Sequence, residues 1–87
     1  MVSYQLRLRR IAQRQLDAIA GRDYQAVDRA ISALAREPRP PRVKKLASSG
    51  LWRIRVRQYR VVYHIDDKER LVTVVRVARR TKDTYKR

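Results

Sequence analysis

Between Arg9 and Pro38 apolar residues recur at helical spacing, whereas from Leu51 onward they recur at every second position. This switch of period restricts the chain to a fold that keeps its helices apart from its strands. Ahead of the helical stretch, Val2, Tyr4, Leu6 and Leu8 alternate with Ser3, Gln5 and Arg7, which predicts a half-buried strand over residues 2–8. Ala12, Leu16, Ile19 and Ala20 form one stripe, so a helix is expected from about residue 9 to 20, ended by Gly21. Asp23 is placed to cap a second helix, whose stripe is Val27, Ala30, Ile31 and Leu34. That helix should stop at Glu37, because Pro38 disfavours helical geometry in the residue before it. A tight turn between the helices makes them antiparallel.

Pro38-Arg39-Pro40-Pro41-Arg42 is a stiff extended connector, and residues 43–50 read as a basic loop with small residues at its end. From Leu51 to Arg57 the alternation is strict, with Trp52, Ile54 and Val56 on one face and Arg53, Arg55 and Arg57 on the other. The second face is a row of guanidinium groups. After a short turn, Tyr59 to Ile65 continues as a strand, Asp66-Asp67-Lys68-Glu69 supplies a polar hairpin, and Leu71 to Ala78 is rich in β-branched residues suited to a buried central strand. The order is βααβββ. It predicts an α+β domain in which an antiparallel sheet is covered on one face by an N-terminal helical hairpin, with residues 1–87 forming a single domain. Trp52, Tyr63 and Tyr4 alternate with polar residues and are assigned to the core rather than to base stacking.

The apolar fraction of 44% suffices for a core and argues against disorder. With no cysteine there is no disulfide framework and no thiolate metal site, and a chain of this size without disulfides is expected in the cytoplasm. Neither a signal peptide nor a membrane span is expected, since no apolar run reaches the required length. Charge points to the partner. Lys plus Arg number 23 against 8 Asp plus Glu, a formal +15. Residues 1–37 hold 7 basic and 4 acidic groups (+3), and residues 38–87 hold 16 and 4 (+12). Nucleic acid is the anion that best suits such a field, because each cation that neutralises a phosphate also releases condensed counterion. The binding surface is therefore expected in the second half of the chain.

Two glycines do not make a phosphate loop, and one histidine without cysteine supplies neither a zinc site nor a Ser-His-Asp triad. The remaining reactive groups are arginine, lysine, tyrosine and His64. Arginine suits phosphate, because its planar fork donates to two phosphoryl oxygens at once. No metal and no cofactor is expected.

The segment Leu51-Trp52-Arg53-Ile54-Arg55-Val56-Arg57-Gln58-Tyr59-Arg60-Val61-Val62-Tyr63 resembles the hallmark of the RelE/ParE toxin superfamily, a basic alternating strand followed by a Tyr-Arg-x-x-Tyr strand. Upstream, the short strand, the helical hairpin and "REPRPPRVKKL" look like the N-terminal half of that family; downstream, "VRVARRTKDTY" is similar to its last strand and C-terminal basic segment. The resemblance covers nearly the whole chain. It implies a toxin of a type II toxin–antitoxin system, and its RelE-like branch implies a metal-independent endoribonuclease. Such an enzyme enters the ribosomal A site and cuts messenger RNA by attack of a ribose 2′-hydroxyl on the adjacent phosphate. Carried over, Arg60 matches the arginine that stabilises the five-coordinate phosphorane, and Arg53 and Arg55 match two basic strand positions that are lysines in the best-known ribonuclease. Arg79 and Arg80 align near the basic residue ending the last strand, with Arg80 taken as the catalytic member, and Tyr85 matches the C-terminal tyrosine that stacks on the base or activates the 2′-hydroxyl. Arg57, Lys44, Lys45, Arg79, Lys82 and Lys86 are expected to bind RNA rather than to catalyse.

Arginine is always protonated, so Arg53 and Arg55 stabilise charge but make poor general bases, and the proton acceptor stays open with Tyr85 as its candidate. Tyr85 could instead tether the tail, Arg60 could sit in a salt bridge, and the arginine row could be a solvated face. His64 lies on the same strand face as Arg60 but roughly 13 Å along it, and is assigned to the surface. The other branch of the family implies a ParE-like, non-enzymatic inhibitor of DNA gyrase, and a regulatory nucleic-acid-binding module is a third reading. The resemblance further implies an acidic, partly disordered antitoxin as partner, besides ribosome and messenger RNA, with DNA met only through the antitoxin complex and no membrane partner.

Overall fold

In a computed structural model, residues 3–80 are described. The elements are β1 (Gln5–Leu8), α1 (Arg10–Asp17), α2 (Gly21–Ala33), β2 (Lys44–Lys45), β3 (Trp52–Val56), β4 (Tyr59–Asp66) and β5 (Leu71–Arg79). The strands form one five-stranded sheet in the order β1-β5-β4-β3-β2. The α+β class and the helical hairpin over one sheet face are as expected. The sheet is mixed rather than wholly antiparallel: β1 runs parallel to β5, from Gln5 opposite Leu71 to Leu8 opposite Val74. Side-chain alternation reports which face a residue occupies and says nothing of strand direction, so this pairing is invisible in the period. The basic loop also contributes the short edge strand β2, with Lys44 opposite Arg53 and Lys45 opposite Trp52.

The helix boundaries differ from the pattern at three places. α1 stops at Asp17, and Gly21, with φ +63°, opens α2 instead of closing α1. The residue before α2 is Ala20, which makes no side-chain cap, so Asp23 is not the cap. Asp23 lies in the first turn of α2, where a carboxylate meets the positive end of the helix dipole. Past Ala33 the chain tightens, with Leu34, Ala35 and Arg36 amides donating to the carbonyls of Ile31, Ser32 and Ala33 at 3.0, 3.2 and 3.1 Å.

The helices meet the sheet through Ala12, Leu16, Ile19, Val27, Ile31 and Leu34, which pack on Ile54, Val61, Tyr63, Ile65, Val72, Val74 and Val77. Along β5 the facing residues are 72, 74 and then 77, a break in strict alternation. A bulge explains it: Val62 pairs with Arg76 while Tyr63 pairs with Val74, leaving Val75 as the extra residue. The bulge turns Val77 inward and Arg76 outward. Because β1 ends opposite Val74, the Val77 amide has no strand beside it, and Gln15 Oε1 from α1 accepts its hydrogen bond at 2.7 Å.

The connector is tied down at both of its first residues. The buried Tyr63 hydroxyl donates to the Pro38 carbonyl at 2.6 Å, and burial pushes that hydroxyl up to about 12. Arg39 grips Asp67 with two hydrogen bonds of 3.2 and 2.9 Å and lies 4.9 Å from the centroid of the Trp52 ring, while Tyr4 donates to the same carboxylate at 2.6 Å. Tyr4 and Trp52 are half-buried against the core, as the alternation predicts. No helix among the described residues is long and apolar enough to cross a membrane.

Candidate nucleic-acid interface

The helices cover one face of the sheet, and the other face carries the arginines. On that open face the pairing registers set out rows. Lys44, Arg53, Val62 and Arg76 lie side by side across β2, β3, β4 and β5. Arg55, Arg60 and Ala78 form the next row. Val62 is only 8% exposed although no helix covers it, and it stands outside the helix-facing core. Its neighbours on both sides in the row are arginines, whose aliphatic stems shield it while their guanidinium groups stay in water.

Arg53 is half-buried in this setting. Burial lowers its pKa, and repulsion from Arg55, Arg60 and Arg80 lowers it further. Every charged group acting on Arg53 is thus a cation. An arginine so placed still holds its proton at neutral pH and is primed to gain from an arriving anion, which would relieve the repulsion. Arg80 reaches this cluster because its amide donates to the Gln58 carbonyl at 2.7 Å, fastening the end of β5 to the β3–β4 turn. Arg79 goes the other way. It is registered with Tyr59, which packs against the core, and its guanidinium donates to Gln58 Oε1 at 3.0 Å.

Of the residues expected in the site, the structure therefore brings together Arg53, Arg55, Arg60, Arg80 and Lys44. Arg57 leaves the row that alternation assigned to it. It occupies the β3–β4 turn with φ +55°, a left-handed geometry that re-aims the side chain, and its Nε pairs with Asp23 at 3.5 Å. Lys45 also faces away, with its Nζ 5.5 Å from the Trp52 ring centroid on the helix side of the sheet. Lys82, Tyr85 and Lys86 lie outside the described residues. Two arginines were missed by sequence reasoning. Arg42 lines a groove of about 390 Å³ with Lys44, Arg53 and Arg55. Arg76 joins the Val62 row, and its signal was a lone charge within an otherwise apolar run. Among the described residues no group of three or more His, Cys, Asp or Glu side chains gathers as a metal site.

Comparison with known proteins agrees with this architecture. The family model described as the ParE toxin of type II toxin–antitoxin systems (parDE) matches residues 6–84. A chain of the toxin–antitoxin complex RelBE2 from Mycobacterium tuberculosis is 33% identical, with 91% of this chain and 100% of that chain covered and a TM-score of 0.79. Two further structures speak for the fold alone. A chain of the archaeal RelE–RelB complex from Pyrococcus horikoshii OT3 is 24% identical, covering 91% of this chain and 97% of that one at a TM-score of 0.80. The isolated RelE toxin of E. coli is 19% identical, covering 93% and 88% at a TM-score of 0.80. The search of curated proteins gives no match. A mixed sheet with a helical hairpin on one face and an arginine cluster on the other defines a RelE/ParE-superfamily toxin. The chain belongs to the ParE toxin family of type II toxin–antitoxin systems.

Proposed function

We propose that the toxin is a metal-independent endoribonuclease that cuts messenger RNA in the ribosomal A site. The observation that carries this reading is the convergence of Arg53, Arg55, Arg60 and Arg80 on one open sheet face, where the charges that act on Arg53 are all cationic. Such clustering works against folding, and a phosphate is the ligand that turns it into binding energy. In the reaction the ribose 2′-oxygen bonds to the adjacent phosphorus, the bond from phosphorus to the 5′-oxygen breaks, and a 2′,3′-cyclic phosphate and a 5′-hydroxyl result. The 2′-hydroxyl gives its proton to a base and the leaving 5′-oxygen gains one. Arg60, with Arg53, Arg55 and Arg80 around it, supports the charge that builds on the phosphorane oxygens, an electrostatic contribution that needs no proton transfer from arginine. Tyr85 is the candidate for the base.

The 33% identity to a chain of RelBE2 supports the RelE-like reading, and two of the similar structures are toxin–antitoxin complexes, which supports an acidic antitoxin as partner. A groove of about 360 Å³ between α2 and β3, lined by Ala30, Leu34, Pro41, Ile54 and Val56 beside Arg36, Arg42 and Arg55, offers that partner apolar contact within reach of cations. The matching family model favours a second reading, a ParE-like gyrase inhibitor in which the arginines form a contact surface.

Primer extension on messenger RNA from a translation reaction with the purified toxin separates the two. Cuts inside codons that appear only when ribosomes are present support the nuclease. Intact messenger RNA together with gyrase-dependent DNA breaks overturns it in favour of gyrase inhibition.

A further inference from the structure

A third row crosses the open face at the end of the sheet away from Arg60. Arg7 of β1 is registered with Thr73 of β5, and Thr73 with His64 of β4, so the three side chains stand next to one another on the face opposite the helices. Leu6 and Leu8 pack against the core and Val72 and Val74 lie within it, which fixes Arg7 and Thr73 on the open side. Arg7 and His64 are exposed, and so is Arg76, which shares the neighbouring row with Arg53 of the arginine cluster. Among the described residues the salt bridges are Arg39–Asp67 and Arg57–Asp23, so Arg7 and Arg76 have no carboxylate partner.

We propose that Arg7, Thr73 and His64 form a second phosphate-binding subsite, linked through Arg76 to the arginine cluster, that holds the backbone of a nucleotide flanking the one that is cut. The proposal rests on the nuclease reading of the cluster. Neighbouring strands are about 4.8 Å apart, so Thr73 stands between Arg7 and His64 on the open face, with both within a side chain's reach of it. Together they supply a bidentate cation, a ring N–H and a hydroxyl, a donor set suited to phosphate oxygens. Arg60 and His64 are roughly 13 Å apart along β4, a span that one extended strand of RNA bridges while Arg76 meets a phosphate on the way. The residues of β5 near these cations, Thr73, Val75 and Ala78, are small and uncharged.

Binding of single-stranded RNA tests this by fluorescence anisotropy over a range of salt, with a dinucleotide and a hexanucleotide as probes. In the intact toxin the hexanucleotide binds more tightly, with a steeper dependence on salt. The Arg7→Ala/Arg76→Ala variant is expected to bind the hexanucleotide about tenfold more weakly, with the log–log salt slope reduced by about 1.4, while binding of the dinucleotide is unchanged. Both side chains are exposed and have no salt-bridge partner among the described residues, so circular dichroism should show an intact fold; Arg7→Lys, which keeps the charge, should recover most of the affinity. Arg29→Ala, on helix α2, is the control for net charge and should leave both probes unaffected. An unchanged salt slope in the double variant, or an equal loss in Arg29→Ala, overturns the subsite. If Arg60→Ala weakens both probes in that case, the cluster keeps its reading and only the subsite falls; a toxin that binds neither probe overturns both.

Discussion

Arg53 sits between Lys44 and Val62 in its row, half-buried and repelled by three guanidinium groups, and Arg60 stands diagonal to it on the next strand, opposite Arg55. On the proposed nuclease reading, removing Arg60 should act on the reaction and not on the fold, because Arg60 is exposed and holds no structural partner among the described residues. Arg60→Ala is expected to lower cleavage by about 10²-fold or more, with stability changed by less than about 1 kcal/mol. Single-turnover cleavage and denaturant unfolding of the same preparation check both halves, and undiminished cleavage removes Arg60 from the site. A second residue-scale prediction concerns Asp67. Its hydrogen bonds from Arg39 and then Tyr4 lower its pKa from 3.8 to about 2. A carboxylate depressed in the folded state contributes stability above its unfolded pKa and loses it as pH falls through the folded one. The melting temperature should therefore fall between about pH 4 and pH 2, and Asp67→Asn should flatten that limb; an unchanged limb shows that Asp67 is not its source.

Among the elements, β5 carries the least obvious device. Its bulge at Val75 reverses the facing of everything that follows, so Val77 enters the core and Arg76 reaches the open face. Deleting Val75 removes the extra residue and leaves Val74, Arg76 and Val77 in strict alternation, so Val77 stays in the core and Arg76 on the open face. The deletion variant is therefore expected to keep a cooperative thermal transition, and Val75→Ala, which keeps the bulge, should also fold. A deletion variant without that transition would show that the bulge itself is needed to hold β5 against β4. Much at this scale was legible in the sequence, since the helix stripes, apart from the exposed Ala20, and the facing of β3 and β4 follow the expected periods. The misplaced features are those where a turn conformation competes with the period: Gly21 opening α2, Arg57 turning to Asp23, and Val75 bulging out.

For the whole molecule the governing quantity is the field of +15 formal charges, weighted to residues 38–87. An acidic antitoxin should be drawn in by it. Its association rate is expected to fall at least tenfold between low salt and a few hundred millimolar, with dissociation changing much less, because steering over several ångströms is screened while contacts already formed are not. Stopped-flow mixing with the antitoxin checks this, and a salt-independent association rate would place the partner on the apolar groove without help from the field. The sequence by itself determined the segregation of helices from strands, the core stripes, the excess of cations in the second half and the absence of cysteine, because each of these is a property of residue type and spacing along the chain. Only the tertiary structure decided that β1 lies parallel to β5, that Arg80 rather than Arg79 joins Arg53, Arg55 and Arg60, and that Arg76 and Arg7 share their face. Those facts depend on strand order, register and one bulge, which are set by contacts between segments far apart in the chain and leave no local period to read.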